Sequence, residues 1–318
     1  MSPNSWICLH PSNATQTTVS LDNRGLAYGD GFFTTMGVID GQILWLDYHQ
    51  QRLVSHATAL QLQLDSQSLL AMLKTHAKQL QQGMLKLIIT RAEQEVRGYG
   101  YTPTNIGGGS ACEIWLKSSP MAITTARSLP LADGQFIPLQ PTASAICLSS
   151  QIACLPPTLA GLKSLNRLDN VLASGELQAI KAKTLADTIK PSIAEGLLRD
   201  MSGQWVEGTM SNVFYQLVEA PVAKSSNRPH SQNNSNSNYL TQGQWYTPSM
   251  AQSGVAGVMR QVIIDTLSTS NNPVIIRSLQ DEDLPHLSQL FFCNALRGIM
   301  PMSSLRLLSG EVVSFEAI

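Results

Sequence analysis

Apolar positions fall at helical spacing from about Asp47 to Leu62, where Leu53, Ala57 and Leu60 share one face and Asp47 stands where a side-chain cap would start the helix. A second stripe begins near Ser66 and runs through Leu69, Leu73 and Leu80. The period then changes: GMLKLIIT, Gly83 to Thr90, has the length and β-branched content of a strand, and EIWLK, Glu113 to Lys117, suits a paired neighbour. Between Ser118 and Thr142 the pattern loosens around Pro120, Pro130, Pro138 and Pro141, as it does at an interdomain connection. The second half alternates strands, Ala143 to Leu148 and Val213 to Leu217, with helices near Asn166 to Lys183 and Val258 to Ser268. The prediction is an α/β (α+β) chain of two domains, a smaller one over residues 1–122 and a larger one over 123–318. The stretch from Ala223 to Gln244 is rich in Ser, Asn and Gln and has little to bury, so a disordered insertion is expected over 223–244, with no role assigned to its Arg228 or His230.

Composition narrows the classes of function. A chain of 318 residues buries enough apolar surface to fold without staples. With 14% charged residues and a formal net charge of -1, no overall field draws it to nucleic acid or an anionic membrane, so a small-molecule partner is expected. Its five cysteines, Cys8, Cys112, Cys147, Cys154 and Cys293, include no C-x-x-C pair, which argues against a disulfide framework or a zinc knuckle. The start MSPNSWICLH lacks a signal peptide's pattern, and no apolar run approaches the roughly 18 to 20 residues of a membrane span; a cytoplasmic protein is expected.

Several chemistries lose support on motif grounds. There is no G-x-x-x-x-G-K-[ST], and Gly107 to Gly109 lack the strand before and helix after that a dinucleotide fingerprint needs. His49 and His56 lie seven apart on one predicted helix face without a third ligand, so core packing or solvent is expected rather than a metal. No G-x-S-x-G elbow is present.

A few residues read as chemistry only in combination. Lys163 follows a Gly-containing turn and precedes an amphipathic helix bearing Leu168, Val171 and Leu172, so its amine can project inward; alone, it reads as a solvated lysine. Glu207 opens EGTMSNVF, where Ser211 and Asn212 offer donors; alone, it is a turn acid. Gly254-Val255-Ala256 precedes a helix whose N-terminal N–H groups can bind phosphate, and Arg52 can complete such a cradle; alone, these are a Gly-rich helix start and a surface arginine.

Taken in order, RGLAYGDGFFTTMGVIDGQ (Arg24 to Gln42), the H-x-x-R-L of His49 to Leu53, GLKSLNRLDNVL, EGTMSNVF, TPSMAQSGVAGVMR (Thr247 to Arg260) and FFCNALRGIMPM (Phe291 to Met302) resemble the fold-type IV pyridoxal-phosphate enzymes, which include branched-chain and D-amino-acid aminotransferases and aminodeoxychorismate lyases. The resemblance spans nearly the whole chain except the Ser/Asn-rich insertion. It implies pyridoxal 5'-phosphate as cofactor, held between two α/β domains, in a homodimer. By matched position, Lys163 is implied as the lysine that takes the cofactor's aldehyde, Glu207 as the acid facing its pyridine nitrogen, and Arg52, Val255, Ala256 and Ala295 as phosphate contacts. Ala256 and Ala295 stand where relatives often have hydroxyls, which leaves backbone N–H groups for the task. Arg167 falls near the expected place of the cofactor's phenolic oxygen.

Three local features resemble the lyase branch: the GDGFFTT turn, VRGYG at Val96 to Gly100, and the N-A-L of Asn294 to Leu296. This implies substrate-side roles for Thr35 and Asn294, with Thr35 assisting Lys163 in catalysis on 4-amino-4-deoxychorismate. That substrate carries two carboxylates, for which Lys86, a charge interrupting an apolar strand, and Arg97, in the Gly-rich loop, are the candidate cations. An outward strand lysine and a solvated loop arginine are the competing readings. Arg297-Gly298 departs from what usually follows N-A-L. Two rivals stay open: an aminotransferase using the same lysine, and a binding protein that has kept the fold without the chemistry.

Overall fold

The computed structural model describes residues 6–10, 18–102, 111–123, 127–131, 134–184, 192–218, 239–268 and 270–315. The first part comprises β1 (Trp6–His10), α1 (Arg24–Tyr28), β2 (Gly31–Ile39), β3 (Gln42–Ile43), α2 (Leu46–Ala59), α3 (Ser66–Leu80), β4 (Gly83–Arg91) and β5 (Cys112–Pro120). Its strands form one antiparallel sheet in the order β1-β5-β4-β2-β3. Period-two alternation sorts the faces: Phe32, Met36, Leu85, Leu87, Ile89 and Leu116 pack against Leu53, Leu69 and Leu73 of the two long helices. The expected strand over Gly83–Thr90 and its pairing with Glu113–Lys117 are both present, with Lys86 opposite Lys117.

Two local expectations give way. Asp47 does not cap α2; Trp45 holds the cap position at φ 58° without a side-chain bond, and Asp47 sits in the first turn. The GDGFFTT segment is a turn only as far as Asp30. From Gly31 it is a central strand, because Phe32, Thr34 and Met36 alternate into the core, a pattern masked by the polar threonines between them.

A small hairpin, β6 (Ser128–Pro130) with β7 (Phe136–Pro138), lies in the proline-rich stretch. The larger sheet follows: β8 (Ala143–Ile152), α4 (Leu168–Thr184), β9 (Ile193–Asp200), β10 (Trp205–Gly208), β11 (Asn212–Leu217), β12 (Tyr246–Thr247), α5 (Val258–Leu267), β13 (Ile275–Ile276), β14 (Leu287–Asn294), β15 (Gly298–Arg306) and β16 (Val312–Ser314). Strand order runs β10-β9-β8-β15-β14-β11-β12-β13, with β16 beside β15; a further pairing of Glu207 with Asn212 joins β10 to β11 and closes the ring. Trp45, just before α2, is buried among Trp245, Phe291, Met259 and Ile263, so the helix that carries Arg52 is rooted in the core of the second half.

The helix after Lys163 faces otherwise than expected. Leu168, Val171 and Leu172 are 79, 62 and 72% exposed, and α4 packs instead through Ala173 and Leu177. Of the predicted insertion, residues 223–238, with Arg228 and His230, lie outside the described residues; its end departs from the expectation, since Leu240 is fully buried in a short 3-10 turn, Tyr239–Thr241. The glycine run at 107–109 is likewise outside the described residues. No described helix is long and apolar enough to cross a membrane.

Candidate active site

A cavity of about 600 Å³ opens between the inner face of the first sheet and the ends of β10, β11 and β14. Phe33, Thr35, Lys86, Arg52, Lys163, Arg167, Glu207, Asn212, Val255, Asn294 and Ala295 all line it, so segments spread from residue 33 to 295 converge on one site. Its charge is lopsided. Among the described residues that line it, Arg52, Lys86, Lys163, Arg167 and Arg297 face a single carboxylate, Glu207.

Lys163 reaches in from the strand-like approach to α4, its Nζ 4.7 Å from the Phe33 ring centroid. Burial lowers its pKa to about 8; the Arg52 charge pushes the same way, while Glu207 opposes. An amine with that pKa spends a useful fraction of its time unprotonated near neutrality, as a nucleophile or base requires.

At one end, Arg52 donates through Nη2 to the Ala256 carbonyl at 2.7 Å, and burial draws its pKa down to about 10. The helix α5 starts beside it with Gly257 at a cap position that has no side-chain bond, leaving the N-terminal turn open for an anion. Gly257 is required there, since a Cβ would stand 1.9 Å from Asn212 Oδ1. Asn212 in turn donates to the Val255 carbonyl at 2.8 Å and so braces the loop rather than contacting a ligand through that nitrogen. The two N–H groups expected to grip phosphate are engaged within the chain: Val255 N–H donates to Glu207 Oε2 at 2.8 Å and Ala256 N–H to the Gly161 carbonyl at 2.9 Å.

Glu207 is buried, and burial raises its pKa against the lowering pull of the Val255 N–H. Asn170 Nδ2 lies 3.5 Å from its other oxygen. Ser211, expected as a donor into the site, gives its hydroxyl to Glu195 Oε2 at 2.7 Å instead. Glu195 is the hub behind the cavity wall, accepting also from Thr209 N–H, Thr209 Oγ1 and Gly196 N–H.

On the opposite wall, Thr35 of β2 stands directly across from Lys86 of β4, two residues along the strand from Phe33 and thus on the same face. Lys86 points inward, with its Nζ 5.4 Å from the Phe33 centroid. Arg97 does not reach the cavity. It is exposed on a segment that Arg24 fastens by donating to the Gly98 and Tyr99 carbonyls. Asn294 lines the cavity but commits Oδ1 to the N–H groups of Leu296 and Arg297, shaping the turn that carries Arg297 to the rim. Phe33, Asn170 and Glu195 carry no local signal in the sequence; His56 reads there only as core packing or solvent, and Arg297 only as a departure.

This donor set fits pyridoxal phosphate. A buried lysine of lowered pKa suits its aldehyde, a buried carboxylate its ring nitrogen, and Arg52 with the open end of α5 its phosphate. Arg167 lines the same cavity, and its buried Nε has no hydrogen-bond partner among the described residues, as expected of a donor that meets an anionic guest.

The model of the amino-transferase class IV family matches residues 31–305, and the chain belongs to that family. Among curated proteins it is 24% identical over 291 residues to an aminodeoxychorismate lyase of Vibrio harveyi, covering 91% of this chain and 88% of that one. It is 26% identical over 306 residues to a Methanocaldococcus jannaschii protein provisionally named as a branched-chain-amino-acid aminotransferase, covering 94% and 86%. Among solved structures, 4-amino-4-deoxychorismate lyase from Pseudomonas aeruginosa superposes with a TM-score of 0.69 at 28% identity, covering 95% of this chain and 92% of that one.

Proposed function

We propose that this chain is a pyridoxal-phosphate-dependent lyase that converts 4-amino-4-deoxychorismate to 4-aminobenzoate and pyruvate. The observation that carries the proposal is the wall opposite the cofactor residues, where Thr35 of β2 pairs with Lys86 of β4 and both line the cavity together with Arg297. Once Arg52, Arg167 and Lys163 are assigned to the cofactor, Lys86 and Arg297 remain, and two cations suit a substrate with two carboxylates. The similarity to lyases along nearly the full chain supports the same reading.

When bound, pyridoxal phosphate supplies an aldehyde for the substrate's amine and a ring that takes up the electrons released at C4. Lys163 removes the C4 proton; its lowered pKa makes the free amine available for this. The C3–O bond then breaks, and the enolpyruvyl group leaves with the bonding pair as the ring becomes aromatic. Lys163, now an ammonium, returns a proton to the methylene carbon of the departing fragment, and Thr35 holds the fragment in line for it. Glu207, kept beside the site by the Val255 N–H, balances positive charge at the ring nitrogen. Proton and leaving group are both accounted for, and no second substrate is consumed.

The working form is a homodimer in this proposal, supported by the exposed Leu168, Val171 and Leu172 on α4, whose Val171 also reaches the cavity rim. Light scattering at micromolar concentration tests it. The test of the reaction is a product assay: equimolar 4-aminobenzoate and pyruvate are expected. Glutamate formed from 2-oxoglutarate, with no 4-aminobenzoate, would overturn the lyase in favour of an aminotransferase, the reading that the M. jannaschii relative favours.

A further inference from the structure

Lys163 is fixed by its backbone. Its carbonyl accepts from the Phe33 N–H at 3.0 Å, and the Leu165 N–H donates to the Gly31 carbonyl at 3.0 Å, which zips the lysine segment to the start of β2. The Lys163 N–H itself finds no carbonyl. It donates to a side chain, His56 Nε2, at 2.9 Å.

His56 lies four residues beyond Arg52 on α2, so the two share a helix face one turn apart. Its ring is buried, edge-on to Phe32 with centroids 5.3 Å apart, and Ser55 Oγ is 3.2 Å from Nδ1. An imidazole accepts through Nε2 only while that nitrogen carries no proton, which requires the neutral Nδ1–H form. The surroundings keep the ring neutral: burial first, then the charges of Arg52, Arg167 and Lys163, hold the pKa down at about 3, and the Lys163 N–H at Nε2 leaves the proton to Nδ1, beside Ser55 Oγ. A ring chosen only to fill the core would have no need of a nitrogen aimed at a backbone N–H.

We propose that His56 is a positioning residue: by accepting the Lys163 N–H from the same face of α2 that presents Arg52, it fixes the distance between the reacting amine and the phosphate end of the site. The inference rests on the reading that Lys163 and Arg52 both serve the cofactor, and it is independent of whether the enzyme is a lyase or an aminotransferase.

The test uses the full-length protein. His56→Leu keeps volume and removes the acceptor; His56→Gln places Oε1 near the position of Nε2. In cofactor-free protein, hydrogen exchange at the Lys163 amide should quicken about tenfold in His56→Leu and return close to the wild-type rate in His56→Gln. In the loaded enzyme, kcat should fall about tenfold in His56→Leu with KM nearly unchanged, and His56→Gln should recover most of it. Equal losses in the two variants, or wild-type exchange and kcat in His56→Leu, overturn the proposal. Should His56→Leu fail to fold, nitrogen-15 spectra of histidine-labelled wild-type protein decide it: His56 is expected with Nδ1 protonated and Nε2 bare at neutral pH, and the opposite tautomer refutes the assignment. Failure of the cofactor reading shows separately, as a Schiff-base absorbance band that survives Lys163→Ala.

Discussion

Lys163 Nζ sits over the Phe33 ring, 4.7 Å from its centroid, in a site where burial brings the lysine's pKa from its ordinary 10.5 to about 8. Capture of pyridoxal phosphate by the cofactor-free protein should therefore quicken with pH along a curve centred near 8, as followed by the growth of cofactor absorbance after stopped-flow mixing. Stability follows the same group. Because the folded pKa lies below the unfolded one, the unfolded chain binds more protons between pH 8 and 10.5, so this lysine's contribution rises with pH across that window. Lys163→Met should flatten that rise in cofactor-free protein; an unchanged slope would show that Lys163 is not the buried ammonium.

Glu195 makes a second prediction, about the wall rather than the chemistry. Its two oxygens accept from Gly196 N–H, Thr209 N–H, Thr209 Oγ1 and Ser211 Oγ, all buried. Glu195→Ala strands these donors and should cost about 3 kcal/mol, lowering the melting temperature by roughly 6 °C or more. Glu195→Gln retains one carbonyl acceptor and should lose less. A melt unchanged in Glu195→Ala would mean that water replaces the carboxylate at no cost.

These two residues also show where legibility in the sequence stops. The long helices and β4 are legible by period, a local signal, whereas Lys163 and Glu207 are legible only through a resemblance that joins motifs along nearly the whole chain. Glu195 gives no such signal: it occupies an apolar strand and matters only because β9 brings it beneath Thr209 and Ser211. FFTT does not alternate cleanly in hydrophobicity and so carries no strand signal for Phe33 and Thr35, although their alternation in space is what builds the cavity wall. The apolar trio on α4 misled in the opposite sense, since periodicity marks an apolar face and leaves open what that face meets. Arg97 was placed near the site by its loop's composition, and the anchoring of that loop by Arg24 was invisible to that reasoning.

Gly257 and Asn212 should behave as a coupled pair. A Cβ on residue 257 would collide with Asn212 Oδ1, and Asn212 can yield only by releasing the Val255 carbonyl beside the anion end of the site. Gly257→Ala should weaken pyridoxal phosphate binding by about tenfold or more, and the stability cost of Gly257→Ala and Asn212→Ala together should fall short of the sum by about 1 kcal/mol. Thermal melts of the four proteins in the cycle measure this. Strict additivity would show that the loop absorbs the methyl group without moving Asn212.

Lys86 and Arg297 provide the sharpest division between the proposed substrate and an ordinary amino acid. If each meets one carboxylate, Lys86→Met and Arg297→Met should each raise KM by roughly 10-fold to 100-fold, the loss of one charged hydrogen bond of about 1.5–3 kcal/mol, while kcat changes far less. The effect should shrink at high salt for Arg297, which is exposed at the rim, and persist for Lys86, which lies deeper against Phe33. Cofactor absorbance should be unaltered in both, because neither cation belongs to the phosphate end. An amino acid with a single carboxylate can satisfy only one of the two cations, so a KM for the amine-bearing substrate that responds to one substitution and ignores the other would count against the two-carboxylate substrate and for an aminotransferase acting on such an amino acid.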